Sequence, residues 1–465
     1  MPIGFVTLPI ITKQINVNDY GVWTMFITLT SLIMPFTGLS LSVALSRFLP
    51  GEKNPDTVIE AFSSVILFKL LVTIIFSSIL ILFADDISRH FFDNQLYVVY
   101  ACSLYLVITT LRPVLDRMLI INGKTKSRSI IRITDAYMGL IGIAISLYYG
   151  FGLKGMIIVF LITGLVTNMI YLYIVINQNG IKIPNFKLIK KYLLYSLPYL
   201  PASLSLWIVD LTDRFIINHI LGIVPLGIFA ACITIGRIPK MASVLLNYII
   251  LVSISKLYDE GKIGEVVTHI QYTLKYYMLI CIPMIFGSYI ISEDLLIIFT
   301  NDDIASSGSS LIPLITTSFF IFGIYNTINQ ILLLNKKTKY LAYIWGLALP
   351  MNIFLNFVLI PILDLQGAVI STLTTYLFVF FSTYVLAKKL ISIKLDFIFL
   401  AKSLFSSLSM CLILLIDLEI NLLNLLLKII ICVLIYFILM IVIKSFEQKE
   451  IHLIRSLLSL EKQNK

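Results

Sequence analysis

Ile121-Asn122-Gly123-Lys124-Thr125-Lys126 returns 213 residues later as Leu334-Asn335-Lys336-Lys337-Thr338-Lys339. Each hexapeptide closes one long apolar run and opens another. A matching short turn follows in each case, Gly152-Leu153-Lys154-Gly155 and then Asp364-Leu365-Gln366-Gly367. Nearer the start, Asp19-Tyr20-Gly21-Val22-Trp23 aligns with Pro225-Leu226-Gly227-Ile228-Phe229 at an offset of 206. Self-similarity at a fixed offset marks an internal duplication. The offset spans six apolar runs, and an even number leaves both copies in the same orientation. This is a parallel repeat about an axis along the membrane normal.

Apolar runs of spanning length fall at roughly 22–46, 61–84, 96–121, 133–150, 155–176, 196–219, 223–253, 270–292, 309–334, 340–363, 367–387, 397–416 and 421–443, preceded by a shorter piece at 1–12. In lipid each backbone polar group must be bonded within its own segment, so the runs are read as helices. The expected fold is an all-α polytopic membrane protein of about 14 transmembrane helices. Its expected layout is an N-terminal six-helix bundle (1–176) and a cytoplasmic amphipathic linker (177–195), then a C-terminal six-helix bundle (196–390) and an extra helix pair with a cytoplasmic tail (391–465). By the 206 offset Met1 corresponds to Trp207, in mid-span. The first helix is therefore expected to be truncated, with a start codon assigned too far downstream.

Composition agrees. Of 465 residues, 59% are hydrophobic and 13% charged, against roughly 25% charged in soluble domains. No stretch between runs can hold a soluble domain, which excludes a nucleotide-driven motor. The net charge of +10 could indicate nucleic acid, but the placement of the cations argues for topology instead. Twenty-five of the 35 Lys and Arg fall in alternate connections and the C-terminal tail, counting Arg117 and Lys275 at the adjoining span ends, and the opposite connections hold three, Lys13, Arg89 and Lys154. Short cytoplasmic loops are enriched in cations, so both termini are expected in the cytoplasm. The opposite loops collect acids, Glu293-Asp294 and Asp302-Asp303. The five cysteines all lie in apolar runs and read as small buried hydrophobes. With four dispersed histidines, neither residue type forms a metal site, and no cofactor is expected.

The seven remaining cations lie within spans. Lys69, Lys402 and Lys428 are near span ends, where snorkelling accounts for them. Arg237 and Lys240 share a helix face at mid-span, beyond snorkelling reach, with a kink expected at Pro239. Either they face a water-filled cavity or they pair with another helix. Trp207, Asp210 and Arg214 form one stripe with Asp213 alongside, and Asp210 can pair with Arg214 at i,i+4. Arg112 and Asp116 make a similar pair beside Pro113. Ser318, Phe322, Tyr325 and Asn329 form a polar and aromatic stripe, suited either to a sugar or to holding helices together. The deep groups are slightly cationic, which suits an anionic, phosphate-bearing substrate.

The ordered set Asn18-Asp19-Tyr20-Gly21-Val22-Trp23, Leu197-Pro198-Tyr199-Leu200-Pro201, Asp213-Arg214-Phe215-Ile216-Ile217, Leu226-Gly227-Ile228-Phe229 and Ser255-Lys256-Leu257-Tyr258 resembles the polysaccharide-type flippases. These are the O-antigen and capsule repeat-unit exporters of the multidrug/oligosaccharidyl-lipid/polysaccharide superfamily. The resemblance covers essentially the whole chain. It implies flipping of an undecaprenyl-diphosphate-linked oligosaccharide, for surface polysaccharide or lipopolysaccharide, across a bacterial plasma membrane. Alternating access between two bundles, driven by an ion gradient, comes with it, as do a polysaccharide polymerase and chain-length machinery as partners. On this reading Arg237, Lys240 and Arg112 bind the diphosphate. Asp210, Asp213, Arg214 and Asp116 form a gate or coupling set, and Trp207, Tyr325 and Asn329 contact sugar. A cation-coupled multidrug exporter is the alternative, disfavoured by the cationic deep groups. A membrane glycan polymerase or ligase would need a larger external loop.

Overall fold

The computed structural model describes every residue except 1–2, 51, 53, 198–199, 393–395, 415–419, 448–449 and 451–465, and only the backbone at 3, 200–208, 210, 413 and 414. Among the described residues the chain is helical, without strands. Its helices are α1 (Ile3–Thr12), α2 (Val17–Gly38), α3 (Leu41–Phe48), α4 (Pro55–Leu82), α5 (Ala84–Phe91), α6 (Leu96–Thr109), α7 (Arg112–Ile121), α8 (Thr125–Tyr148), α9 (Gly152–Asn179), α10 (Phe186–Ser196), α11 (Leu200–Ile220), α12 (Ile223–Gly236), α13 (Ile238–Asp259), α14 (Ile263–Phe299), α15 (Asp302–Gly308), α16 (Leu311–Leu334), α17 (Thr338–Leu390), α18 (Phe397–Leu414) and α19 (Leu422–Val442). Ten of the described helical segments are long and apolar enough to cross a membrane. The chain is a multi-pass membrane protein.

Several apolar runs are broken helices. Leu39 and Ser40 adopt left-handed backbone (φ 43° and 53°) between α2 and α3. Pro113 and Pro239 sit in the first turns of α7 and α13, just beyond the breaks at Thr110–Leu111 and Arg237. Proline lacks the N–H that would continue the preceding ladder, yet its fixed φ suits a helix start. The expected kink at Pro239 is thus a full break. Within α17, Asp364 turns the chain (φ 49°).

Residues Met1–Ala231 and Trp345–Thr372 form one compact unit, and Cys232–Ile344 with Leu373–Lys465 the other. In the first, Leu41, Leu45, Phe62, Val114, Leu115 and Tyr171 share a buried core, and α10, expected as the amphipathic linker, packs Ile189 and Tyr192 into it. In the second, Tyr277, Phe320, Phe399 and Tyr436 form one cluster and Ile254, Ile270, Leu274 and Ile331 another.

The repeat is visible in backbone detail. Gly123 and Lys336, equivalent at the 213 offset, both have positive φ, 72° and 56°. Lys124 N–H donates to Leu119 O at 2.8 Å and Lys337 N–H to Leu332 O at 2.8 Å, while Gly123 and Lys336 N–H bond Ile120 O and Leu333 O at 3.0 Å. Both turns are Schellman caps. Gly21 and Gly227, equivalent at the 206 offset, face each other in the first unit. A Cβ on Gly21 would lie 2.2 Å from Ile223 O, and one on Gly227 would lie 2.8 Å from Val17 O and 3.1 Å from Gly21 N. Only glycine allows α2 and α12 to approach this closely.

The span-end lysines are not simply snorkelling. Lys69 is 2% exposed, its ammonium donating to Thr110 O at the α6–α7 break and lying beside Gly38. The carbonyls freed by the break need a donor, and Lys69 supplies one. Lys428 pairs with Asp294 at 3.2 Å, because α14 runs on to Phe299 and carries the acids expected in a loop. Lys402 Nζ donates to Lys444 O at 2.8 Å.

Candidate functional site

In the second unit, Arg237 stands at the break before α13 and Lys240 in its first turn, both half-buried. The break is held tight against α16: a Cβ on Gly236 would meet Ile315 Cγ2 at 2.6 Å. Lys240 Nζ lies 4.7 Å from the ring centroid of Phe322 and 5.4 Å from that of Phe319. A ring face holds an ammonium through its quadrupole without cancelling its charge. Phe322 in turn packs against Tyr325 at 5.7 Å and Tyr376 at 5.2 Å. The two sequence-predicted cations therefore stand together on a rigid, aromatic-backed helix start.

The polar stripe of α16 divides by role. Asn326 Nδ2 donates to Ser243 Oγ at 3.0 Å, and Asn247 Nδ2 to Thr327 Oγ1 at 3.1 Å, joining α13 to α16. Ser318 Oγ donates to Leu314 O of its own helix at 2.9 Å. Tyr325 is 4% exposed. Asn329 Oδ1 and Gln330 Oε1 are buried with no hydrogen-bond partner among the described residues. The bonds that join the helices thus come from Asn326 and Thr327 beside the stripe, and Asn329 retains an acceptor without a partner among the described residues.

In the first unit, Asp213 is 5% exposed. Asn356 Nδ2 donates to its Oδ1 at 2.7 Å and Thr372 Oγ1 to its Oδ2 at 2.6 Å. Asn356 Nδ2 also reaches Asn352 Oδ1 at 3.2 Å, and both asparagines are fully buried. A carboxylate dehydrated this far is costly unless such donors surround it. Arg214 Nη1 donates to Thr28 Oγ1 at 3.2 Å. Trp207 and Asp210 lie on the α11 backbone, with their side chains outside the described residues.

Arg112 and Asp116 do not pair with each other. Arg112 binds Asp135 bidentately, at 2.9 and 3.0 Å, and also Thr167 Oγ1. Asp116 accepts from Arg128 at 2.9 Å, from Arg132 at 3.1 and 3.0 Å, and from Tyr171 at 3.2 Å. The break at Thr110 rotates α7 so that each side chain meets α8 or α9 instead. Arg112 thus has its charge matched by Asp135, and Asp116 ties α7 to α8 and α9. Asp135, Thr167, Asn352, Asn356 and Thr372 carry much of this chemistry and escaped the sequence reading. Asp135 stood near the start of its apolar run, and only the helix start at Thr125 puts it deep inside.

A model of the family described as polysaccharide biosynthesis protein matches residues 10–303. None of the curated proteins matches the sequence. Among solved structures, the chain is similar to the lipid II flippase MurJ in its inward closed conformation, with a TM-score of 0.73 and 17% identity over 91% of this chain and 96% of that one. It is also similar to a multidrug resistance MATE family transporter of the MOP superfamily in its inward-facing conformation, with a TM-score of 0.68 and 14% identity over 83% of this chain and 94% of that one. These identities establish a shared fold. The neighbours are a flippase and a transporter, not enzymes.

Proposed function

The chain belongs to the polysaccharide biosynthesis protein family, and from that premise we propose that it flips an undecaprenyl-diphosphate-linked oligosaccharide repeat unit from the cytoplasmic to the outer leaflet of a bacterial inner membrane. The observation that carries this reading is the pair Arg237 and Lys240, two cations at a helix break inside an apolar run, with Lys240 backed by Phe319 and Phe322. Intramembrane charge is expensive and marks a substrate path. Two adjacent basic groups supply the charge-assisted hydrogen bonds that a diphosphate takes up. Asn329, with an open acceptor on the same unit, and Tyr325 are assigned to the sugar. Asp213, held by the Asn356 amide and the Thr372 hydroxyl, is the coupling carboxylate, with Asp210 and Arg214 on the same helix. Transport proceeds by alternating access between the two six-helix repeats. The product feeds a surface polysaccharide such as O-antigen or capsule, and a polymerase with its chain-length machinery receives it.

Deletion of the gene is expected to accumulate the lipid-linked glycan in the inner leaflet and to deplete surface polysaccharide. The double substitution R237A/K240A should reproduce that defect at normal protein level in the membrane. Intact surface glycan with no inner-leaflet accumulation in the deletion strain would exclude the flippase reading. Full flux in the double variant would exclude only the diphosphate site.

A further inference from the structure

The Arg112–Asp135 pair leaves 26% and 28% of its two side chains exposed. Both residues nevertheless lie within spanning segments, Arg112 at the break inside 96–121 and Asp135 in α8. Arg112 opens α7 nine residues before Ile121, the nearer end of the 96–121 segment, and Asp135 lies ten residues after Thr125 in α8, about 13 Å or more at 1.5 Å per residue. Lipid does not solvate exposed charge at that depth, so the exposed edge must face a polar space. The first unit holds one, a cavity of about 250 Å³ lined by Trp23, Tyr105, Arg112, Asp135, Phe160 and Thr163 among others.

Its surfaces are of two kinds. Phe160 stacks on Tyr105 at 4.7 Å and meets Trp23 edge-on at 5.2 Å, so one wall is a cluster of three aromatic rings. The remaining polar surface is a planar guanidinium joined to a planar carboxylate by two parallel hydrogen bonds. Arg112 Nε is buried with no hydrogen-bond partner among the described residues. Gly139 also borders the cavity, and a Cβ there would meet nothing within 4 Å. The space above it is open.

We infer that this cavity is a subsite for a single pyranose ring of the transported glycan, an inference that rests on the flippase reading above. A pyranose has apolar C–H faces that lie against aromatic rings and an equator of hydroxyls. Adjacent hydroxyls are both donor and acceptor, which matches a guanidinium and a carboxylate side by side. The other candidates fit less well. A phosphate would meet the charge of Asp135, a cationic drug would meet that of Arg112, and an acyl chain would strand both without hydrogen bonds. The volume falls below the ~300 Å³ at which drug-sized sites begin, so the site takes one ring and not an oligosaccharide. Arg112 accordingly acts on the sugar and not on the diphosphate.

Gly139→Leu fills the cavity from a position with room for a side chain. The expected result is loss of flipping, with inner-leaflet accumulation as in the deletion strain, at unchanged protein level. Gly139→Cys tests occupancy directly, in membranes from a strain that makes no glycan. A small water-soluble maleimide should label it above the background of the native cysteines. Lipid-linked glycan extracted from the deletion strain should slow that labelling severalfold, whereas sugar-free undecaprenyl diphosphate should not. Absence of labelling, equal protection by the sugar-free lipid, or full flux in Gly139→Leu would each overturn the subsite. If the deletion strain accumulates the glycan while Gly139→Leu remains fully active, the flippase reading stands and the subsite falls. If the deletion strain accumulates nothing, the flippase reading fails first.

Discussion

Lys69 shows how a single side chain can be misjudged from position alone. Its distance from the span end allowed snorkelling, but the α6–α7 break gives its ammonium an acceptor inside the protein, Thr110 O. No sequence signal links residues 41 positions apart, so the partner was not legible. The two alternatives separate experimentally. Lys69→Met leaves a carbonyl unsatisfied, at about 1–3 kcal/mol, and is offset by removing a buried charge. It should accumulate and melt close to wild type. Lys69→Glu sets a carboxylate against that carbonyl and should fail to accumulate in the membrane, whereas a snorkelling lysine would tolerate both changes. At Asp213 the substitution to Asn keeps one acceptor for Asn356 or Thr372 and removes the charge. Asp213→Asn should fold and insert normally but lose energised flipping, measured as inner-leaflet accumulation. Arg237 and Lys240 were legible because intramembrane charge is visible in a string of letters. Asp135 was not, because its depth depends on where α8 begins.

At the level of elements, most helices followed from apolar runs and their basic connections, while the breaks inside them were only partly foreseeable. Pro113 and Pro239 announce theirs, but at the α2–α3 break Pro35 and Gly38 stand just before the turn and the left-handed residues are Leu39 and Ser40. The paired Schellman caps offer a direct test of the repeat. Lys336 pays for left-handed backbone that its counterpart Gly123 adopts freely. Left-handed φ costs a side-chain-bearing residue about 1–2 kcal/mol, partly offset by the unfolded-state entropy of glycine. Lys336→Gly should therefore be neutral or stabilising by up to about 1 kcal/mol, and Gly123→Val destabilising by about 1–2 kcal/mol, both read as melting shifts in detergent. A second element-level contact joins the segment after α19 to α14. Glu450 accepts from Lys275 Nζ at 2.6 Å, Tyr276 Oη at 2.9 Å and Glu447 N–H at 2.7 Å. Burial pushes this carboxyl up, but those three donors outweigh it and hold it below its ordinary value. A depressed carboxylate stabilises the fold above its unfolded pKa, and that stability is lost as pH falls through the depressed value. The wild-type melting temperature should thus drop between about pH 5 and the acid limit more steeply than that of Glu450→Gln, which is already destabilised at neutral pH.

For the molecule as a whole, the all-α polytopic class followed from composition and the alternation of cations, because lipid leaves few other solutions. From the same alternation we propose that both ends of the chain lie in the cytoplasm. A fluorescent protein that matures only there, fused after Lys465, should be bright, and a periplasmic phosphatase at the same point should be inactive. The reverse pattern would put the C-terminus outside and overturn that orientation.

The meeting of Gly21 with Gly227 has a consequence for descent. A residue that touches its own duplicate makes an isologous contact, the kind a two-fold axis generates between identical subunits. Before the genes fused, one glycine would have served both sides of a homodimer seam, and every change there would have struck twice. Fusion freed the two positions to drift apart, yet the seam still requires a hydrogen for a side chain from each.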